Sequence, residues 1–355
     1  MRLWLRRRER VEALDQRWTR TPITRRRLSQ GGLAALACGV ALFLAGSSPG
    51  VTPKAYPIRS ARWLAAGVDP IHALTRQPAE CLPTALRSRA DYEIEVGRAA
   101  FRTPLLLGGQ ASRAGLGCES CHLNGRGNRK FFFPGLSGAP GTADVTSALF
   151  STVRDDGVDN PKPIPDLGGD KRRLKIDQGH DGVALRGFIR GLVVEEFDGA
   201  EPPSAVLNGL AAYVRALDPK ACAGRGEERL RSATAADDAK RAVRVAIVAL
   251  DRGAGATAVL MVEAARSRLG LLDERYAAPG LETDRAAILA ASLRLSRVLP
   301  AIRSTDPAAK SALIDWLAAS PKWIAGPERD ERRSLYAEAP LRAALEIEVR
   351  RRVID

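Results

Sequence analysis

Apolar residues recur at helical spacing in two segments that flank a loop-rich stretch. Residues 85–104 predict a helix with candidate core positions at Ala85, Tyr92, Ile94, Val96 and Phe101. Residues 204–218 predict a second helix with apolar positions at Val206, Leu210, Tyr213, Val214 and Leu217. Frequent Gly and Pro between residues 123 and 180 preclude long elements there. The pattern therefore predicts helices on either side of long loops.

The last part of the chain, residues 225–355, has a different composition. It is rich in Ala, Arg, Leu and Glu and contains neither Cys nor His. Periodicity and the positions of Gly and Pro predict helices at 235–250, 257–272, 284–299, 307–319 and 327–353, the last with a break at Pro340. We expect a helical bundle or helical-hairpin array. Because no catalytic grouping occurs there, the expected role is interaction or scaffolding, or simply coverage of the haem domain.

A basic segment followed by an apolar run opens the chain. Residues 1–27 contain ten Arg against Glu9, Glu12 and Asp15, and residues 33–45 are uncharged and almost wholly apolar. This order is typical of an export signal, either cleaved or retained over residues 31–48 as a membrane anchor, and the long basic segment favours the anchor. The sequence therefore predicts a protein on the periplasmic side of a bacterial inner membrane, anchored or secreted.

The formal net charge of the chain is +14. Ten Arg and three acidic residues give residues 1–27 a net charge of +7, which is half of the total. Because a topology signal accounts for that half, nucleic-acid binding is not predicted. The remaining excess suits docking to an acidic redox partner or a solvated basic surface.

Cys118, Cys121 and His122 form the pattern C-x-x-C-H, which predicts one covalent c-type haem. Each thiol can form a thioether with a haem vinyl group, and the adjacent imidazole can then ligate the iron. A thioredoxin-like dithiol leaves the histidine unexplained and calls for a βαβ context that the Gly-rich flanks lack. A zinc site requires about four ligands, and no second Cys/His pair stands at ligand spacing.

Residues after the motif supply further candidates for the site. Arg126, in a cluster with Arg129 and Lys130, is expected to neutralise a haem propionate or to lie in a solvated basic loop. Phe133 is expected to wall the haem. Because three adjacent aromatic residues cannot all face inward on a regular strand, at least one of residues 131–133 should be exposed or meet another domain.

Two further cysteines, Cys81 and Cys222, flank the predicted haem region. In an oxidising compartment we expect them to form a disulfide, with two free buried thiols as the alternative. Such a bridge closes about 140 residues and would restrict the unfolded chain by several kcal/mol in the entropic model.

Two segments, GQASRAGLGCESCHLNGRGN and GHDGVALRGFIRGLVVEEFDGAEPPSAVLNGLAAYVRAL, resemble the C-terminal haem domain of the bacterial di-haem cytochrome c peroxidase and MauG superfamily. The resemblance covers about residues 95–220. Those relatives carry two haem domains, each with its own C-x-x-C-H, and an iron with an open distal side that reacts with peroxide. The present chain has one such motif, so the two-haem relay of the peroxidases cannot be assembled within it.

The resemblance also bears on the sixth ligand of the iron. The box at residues 180–182, HDG, approaches the distal face in the resembled family, so His180 is a candidate for that ligand. If GHDG is instead a structural turn, the sixth site holds water, Tyr213 or another residue. Met261 lies in an apolar helical stripe, where core packing is expected, and His72 is expected at the surface or at a helix cap.

We expect an all-α fold in which a cytochrome c-like haem domain with long loops, residues 80–222, precedes the helical domain at 225–355. Ahead of them stand the basic segment (1–30), the signal or anchor (31–48) and a linker (49–79). The expected function is electron transfer with a redox-protein donor or acceptor. The alternative is a haem peroxidase or oxidase that acts with a second haem protein. In that alternative Glu195 and Glu196 are acid–base candidates, unless they are solvated loop residues. A structural or sensing haem is a third possibility.

Overall fold

The computed structural model describes residues 58–89, 91–154, 156–171, 174–176, 178–179 and 182–354. The chain divides into two compact units, Met1–Thr52 and Pro53–Asp355, and every described residue belongs to the second. This unit is mostly α-helical, which confirms the predicted fold class at that level.

The helices are α1 (Pro70–Thr75), α2 (Thr84–Arg89), α3 (Tyr92–Phe101), α4 (Gly109–Ala114), α5 (Cys118–Cys121), α6 (Val183–Gly191), α7 (Ser204–Ala216), α8 (Ser232–Asp251), α9 (Gly255–Arg275), α10 (Glu282–Arg303), α11 (Ala308–Ala318), α12 (Ser320–Asp330) and α13 (Glu338–Ile354). Short 3₁₀ segments span Arg59–Trp63, Pro104–Leu106, Leu123–Gly125, Pro219–Cys222 and Glu331–Arg333, and a π-helical turn spans Leu192–Glu196. The strands are β1 (Arg76–Pro78), β2 (Thr142–Ala143), β3 (Lys162–Pro163) and β4 (Glu227–Arg229). β1 pairs with β4 and β2 with β3, both antiparallel.

Helices α3 and α7 pack closely against each other. A Cβ atom on Gly97 of α3 would lie 1.8 Å from the carbonyl oxygen of Gly209 in α7, so the two backbones touch where both helices carry glycine. Most of the predicted core positions on these helices are buried, namely Ile94, Val96, Phe101, Val206, Leu210, Tyr213 and Val214. The helix predicted at 204–218 therefore packs on the helix ahead of the C-x-x-C-H motif.

Helices α8 to α12 form the C-terminal part of the unit. α8 and α9 are joined by three residues and pack along their length, with an alanine-rich seam that lets the two helices approach closely. Gly253, at φ +68°, stands in the connecting turn, as a left-handed turn residue requires. The large side chains of Trp316 and Leu313, on α11, are fully buried in the same core.

The last predicted helical segment, 327–353, is broken, but the break lies before Glu338 and not at the predicted Pro340. Helix α12 runs through Pro327 to Asp330, and α13 begins only at Glu338. The break between them is set by tertiary hydrogen bonds: the Leu335 N–H donates to Arg275 O at 2.8 Å, and Arg275 Nη1 donates to Leu335 O at 2.9 Å. These two bonds hold the chain at Leu335 against the end of α9.

Buried apolar side chains from residues 80–222 and from residues 225–355 belong to one continuous cluster. Residues 58–78, within the predicted linker, also fold, and β1 pairs with β4 just beyond Cys222. The separation of a haem domain from a helical domain therefore stays a prediction.

The prediction of a transmembrane segment is corrected. In the part of the chain that the structure describes, no helix is long and apolar enough to cross a membrane. The longest helices there, α8 to α10, have charged residues throughout, whereas a span needs about 20 mainly apolar residues. The predicted segment itself, residues 31–48, lies outside the described residues.

Candidate functional site

The C-x-x-C-H motif forms the single-turn helix α5 and the residue that ends it. Gly117 precedes the turn, and its N–H donates to Ser120 Oγ at 3.2 Å. Asn128 provides hydrogen bonds to two carbonyl groups at the other end of the turn. Its Nδ2 donates to Ser120 O and its backbone N–H to Cys121 O, both at 2.9 Å. A three-residue spacing places the Cys118 and Cys121 side chains on one face of the turn.

Both motif cysteines are free and half-buried. Burial raises the pKa of each thiol to about 12, so both are neutral thiols at physiological pH. A redox dithiol depends on a lowered thiol pKa, so its chemistry does not fit this pair. The described residues also include no group of three or more His, Cys, Asp or Glu placed to hold a metal ion.

His122 is oriented by a residue 43 positions away. Its Nδ1 lies 3.0 Å from the Pro165 carbonyl oxygen. Because a carbonyl can only accept, Nδ1 carries the proton and Nε2 carries the free lone pair. Burial lowers the pKa of His122 to about 4, which keeps the imidazole neutral. A donor nitrogen fixed in this way is the arrangement that metal-ligating histidines share.

The loop that carries Pro165 is fastened beside the motif by Arg126. Arg126 Nε donates to both carboxylate oxygens of Asp166 at 2.8 Å, and the Gly168 N–H donates to Gly125 O at 3.0 Å. Arg126, predicted to meet a haem propionate, is thus paired with a carboxylate of the protein. It also lies against the disulfide, with Nη1 3.4 Å from both sulfur atoms of the bridge.

That disulfide joins Cys81 and Cys222, the pairing expected from the sequence. It ties the start of the predicted haem region to the segment that follows α7. Asp218 N–H donates to Cys81 O at 2.8 Å beside it.

Aromatic side chains stand next to the motif. The Phe101 ring lies 6.3 Å from that of His122, and Tyr213 meets Phe101 edge-on at 5.2 Å. Phe133 packs edge-on against Phe150 at 5.2 Å. Phe133 is half-buried, as are other apolar residues that pack on the same core: Cys118, Cys121, Val145, Ile164, Leu167, Ile176, Ile189, Val194 and Phe197. Within the triple phenylalanine, residue 131 is buried and residues 132 and 133 are half-buried.

This donor set fits a c-type haem. Two neutral thiols share one face of a helical turn, and an adjacent imidazole presents an unprotonated Nε2. Both thiols pack, with other half-buried apolar side chains, against the main hydrophobic core. The porphyrin supplies four iron ligands itself, so a single protein imidazole suffices on the proximal side.

The structure places three of the four residues considered as the sixth iron ligand. Tyr213 is buried, and its hydroxyl donates to Glu80 Oε1 at 2.9 Å, so that hydroxyl is already bonded. Met261 is fully buried in α9, where it packs in the core. His72 lies at the surface, 3.0 Å from Glu227. His180 lies outside the described residues.

The acid–base candidates Glu195 and Glu196 occupy the π-helical turn. Glu195 forms an ion pair with Arg154. Glu196 Oε2 is buried and has no hydrogen-bond partner among the described residues. Burial raises the pKa of Glu196 despite the positive charges of Arg154 and Lys175.

A buried charge network that sequence reasoning missed connects the motif to α8. Arg102 donates to Asp238 Oδ1 at 3.2 Å, to Glu119 Oε1 at 3.0 Å and to Asn124 Oδ1 at 2.9 Å. Arg102 and Arg98 also hold Glu80, at 2.9 and 2.7 Å. The signal in the sequence is a pair of arginines four positions apart, Arg98 on α3 and Arg102 at its C-terminal cap, because buried charge is costly unless it is paired.

Comparison with known proteins adds no relative. No family model matches the chain, and no match is found among curated proteins or solved structures. The resemblance to the di-haem peroxidase superfamily therefore stays a prediction, carried by the residues quoted above.

Proposed function

We propose that this protein is an exported mono-haem c-type cytochrome that transfers single electrons between redox proteins. The observation that carries the proposal is the His122 Nδ1 to Pro165 O hydrogen bond beside two free thiols on one helical face. It leaves Nε2 as the nitrogen that can bind iron, one residue after the second thiol. A cytochrome c-like fold for residues 80–222 belongs to the same proposal.

Each residue of the motif has its own task in this proposal. A bound haem would supply an iron that alternates between the ferric and ferrous states. Cys118 and Cys121 would each add their sulfur to a vinyl group and so hold the haem in one orientation. Pro165 fixes the imidazole plane, and the Arg126–Asp166 pair fixes the position of Pro165. Phe101, whose ring centroid lies 6.3 Å from that of His122, would shield one side of the imidazole from water.

The disulfide supports an exported location. Structural disulfides persist in oxidising compartments and are rare in the cytosol of mesophiles. The Cys81–Cys222 bridge is part of the fold, and haem attachment to C-x-x-C-H is expected in the same compartment.

Expression together with a cytochrome c maturation system tests the proposal. We expect one haem per chain that survives denaturing electrophoresis and is detected by haem staining. Cys118→Ala and Cys121→Ala should each leave a single thioether, and the double variant should lose covalent haem entirely. The matched control, Cys81→Ala with Cys222→Ala, removes two cysteines outside the motif and should keep the stain. A protein that carries zinc near one equivalent and no haem would contradict the proposal.

A haem peroxidase or oxidase is the second candidate, and Glu196 is the observation that favours it. Glu196 has a raised pKa, and its Oε2 has no hydrogen-bond partner in the part of the chain that the structure describes. Such a carboxyl group retains its proton to higher pH, as a general acid requires. Peroxide turnover with a reduced cytochrome donor separates the two candidates. Electron transfer alone predicts no turnover. An enzyme predicts turnover that Glu196→Gln lowers by about 10²-fold or more, with Glu195→Gln as the control.

A further inference from the structure

A cleft of about 580 Å³ lies between the C-x-x-C-H region and the helices that follow Cys222. Its walls come from the 3₁₀ segment Arg59–Trp63, from strand β1, from residues 117–131 and from the facing parts of α8 and α9. Its size falls within the usual range of small-molecule sites, roughly 300–1,000 Å³. Cys118, Cys121 and His122 do not line it, so the cleft adjoins the candidate haem site without including the two thiols or the imidazole.

The cleft is strongly basic. Ten Arg and Lys residues line it, against five Asp and Glu residues. Each of the five carboxylates is already engaged by a basic side chain of the protein: Glu119 and Asp238 by Arg102 and Arg268, Asp166 by Arg126, Glu227 by Lys130, and Glu274 by Arg59. The protein therefore neutralises all of the acidic lining and leaves an excess of positive charge.

Four arginines of the lining form no ion pair within the described part of the chain. Arg76, Arg129 and Arg231 are exposed. Arg275 is buried, donates to Leu335 O at 2.9 Å and stands over the Tyr336 ring at 5.2 Å. Burial lowers the pKa of Arg275, so the surrounding groups of the protein do not fully offset the cost of burying its positive charge.

Arg76, which lines the cleft, also faces a second arginine across the β1–β4 ribbon. Arg76 stands directly opposite Arg229, and neither has an ion-pair partner in the described residues. Like charges at directly opposed positions destabilise an antiparallel pair. An anion in the cleft would relieve that repulsion.

We propose that this cleft binds a small organic anion that carries two or more carboxylate or phosphate groups. Arginine guanidinium groups bind both kinds of group through paired N–H donors. Trp63, Leu74 and Phe131 in the lining provide apolar contact for the body of the ligand. The binding goes beyond the proposed electron transfer and does not depend on it. The ligand would also contact Gly117 and Ser120, which belong to the turn that carries the two motif cysteines.

Calorimetric titration of the purified full chain with citrate and, separately, with pyrophosphate tests this inference. We expect saturable one-site binding of at least one of the two probes. Arg76→Gln and Arg231→Gln should each raise the Kd by about fivefold to tenfold, the effect of removing one charged contact at a partly exposed site. Both side chains are exposed, so the variants should fold, and their thermal unfolding checks this.

Arg294→Gln is the matched control. Arg294 is an exposed arginine on α10 that has no ion-pair partner in the described residues and does not line the cleft. It should leave the Kd unchanged at constant ionic strength. An equal weakening by Arg294→Gln would overturn the inference, because the binding would then reflect net charge. The absence of saturable binding for both anions, or tighter binding of a hexaglutamate peptide than of either probe, would overturn it as well. Retained binding by the Cys118→Ala/Cys121→Ala variant would show that the cleft acts independently of haem attachment.

Discussion

His122 shows how a single hydrogen bond prepares a side chain for one chemical role. Its spacing from Cys121 places the ring near the thiols, but only the Pro165 carbonyl decides which nitrogen is free. Arg126 acts one step further away, because it holds Asp166, the neighbour of Pro165. The orientation of the site residues thus depends on contacts with a distant loop, which the local sequence pattern does not predict.

Tyr213 and Tyr92 provide a test of hydrogen bonding at the residue scale. The Tyr213 hydroxyl donates to Glu80 Oε1 at 2.9 Å in the core, whereas the Tyr92 hydroxyl is buried without a partner in the described residues. Tyr213→Phe should lower the free energy of unfolding by about 1–3 kcal/mol, because a bond to a charged group is lost. Tyr92→Phe should be neutral or slightly stabilising. Urea unfolding measures both, and equal losses would contradict this account.

At the scale of elements, the contact between α3 and α7 determines the shape of the first half of the unit. Helix α3 leads through residues 102–117 into the motif, and α7 leads to Cys222, so their contact brings the two ends of the predicted haem region together. Helical periodicity predicted both helices. The register between them depends on Gly97 and Gly209, which allow backbone contact.

Gly97→Ala tests that contact. The new methyl group would overlap the Gly209 carbonyl, 1.8 Å away, so the helices must separate and their shared core must open. We expect a loss of at least about 3 kcal/mol in the free energy of unfolding, or failure to fold. Gly187→Ala on α6 is the control, since a methyl group there meets nothing within 4 Å. It should be neutral or stabilising, because alanine favours helix. Similar losses for both variants would refute the close contact.

On the scale of the whole molecule, the buried charges join the two parts of the described chain. Glu80, Arg98 and Arg102 come from one part and Asp238 from the other. Burial alone would raise the pKa of Glu80, but Arg102 and Arg98 outweigh it and lower the pKa to about 2. The same balance, with Arg102 and Arg268, lowers the pKa of Asp238.

This network predicts the acid sensitivity of the fold. The folded pKa of Glu80 lies below its ordinary value of 4.5, so the unfolded chain binds the extra proton. The stabilisation is therefore fully present above about pH 5 and is lost as the pH falls toward 2. Glu80→Gln should cost about 3 kcal/mol at pH 7, because it leaves buried arginines underpaired, and should flatten the decline between pH 5 and 2. Glu93→Gln, at an exposed position of α3, should do neither. Unfolding by denaturant across this pH range provides the measurement, and an unchanged slope for Glu80→Gln would contradict the prediction.

The sequence by itself determined the features that depend on neighbouring residues. Periodicity located α3, α7 and most C-terminal helices, because side chains three and four positions apart share a helical face. The spacing of Cys118 and Cys121 places the two thiols on one face of a turn for the same reason, and the haem that the motif predicts stays a prediction. The pairing of Cys81 with Cys222 followed from the few cysteines that lie outside the motif.

Only the tertiary structure decided which distant groups meet. It gave the imidazole its partner at Pro165, paired Arg126 with Asp166, bonded Tyr213 to Glu80 and ended α12 before Leu335. Each of these contacts joins residues at least 40 positions apart, so its formation depends on how loops close and helices pack. The spacing of neighbouring residues does not show which loops close or which helices pack together, because the free energy that favours these contacts comes from burial across the whole unit.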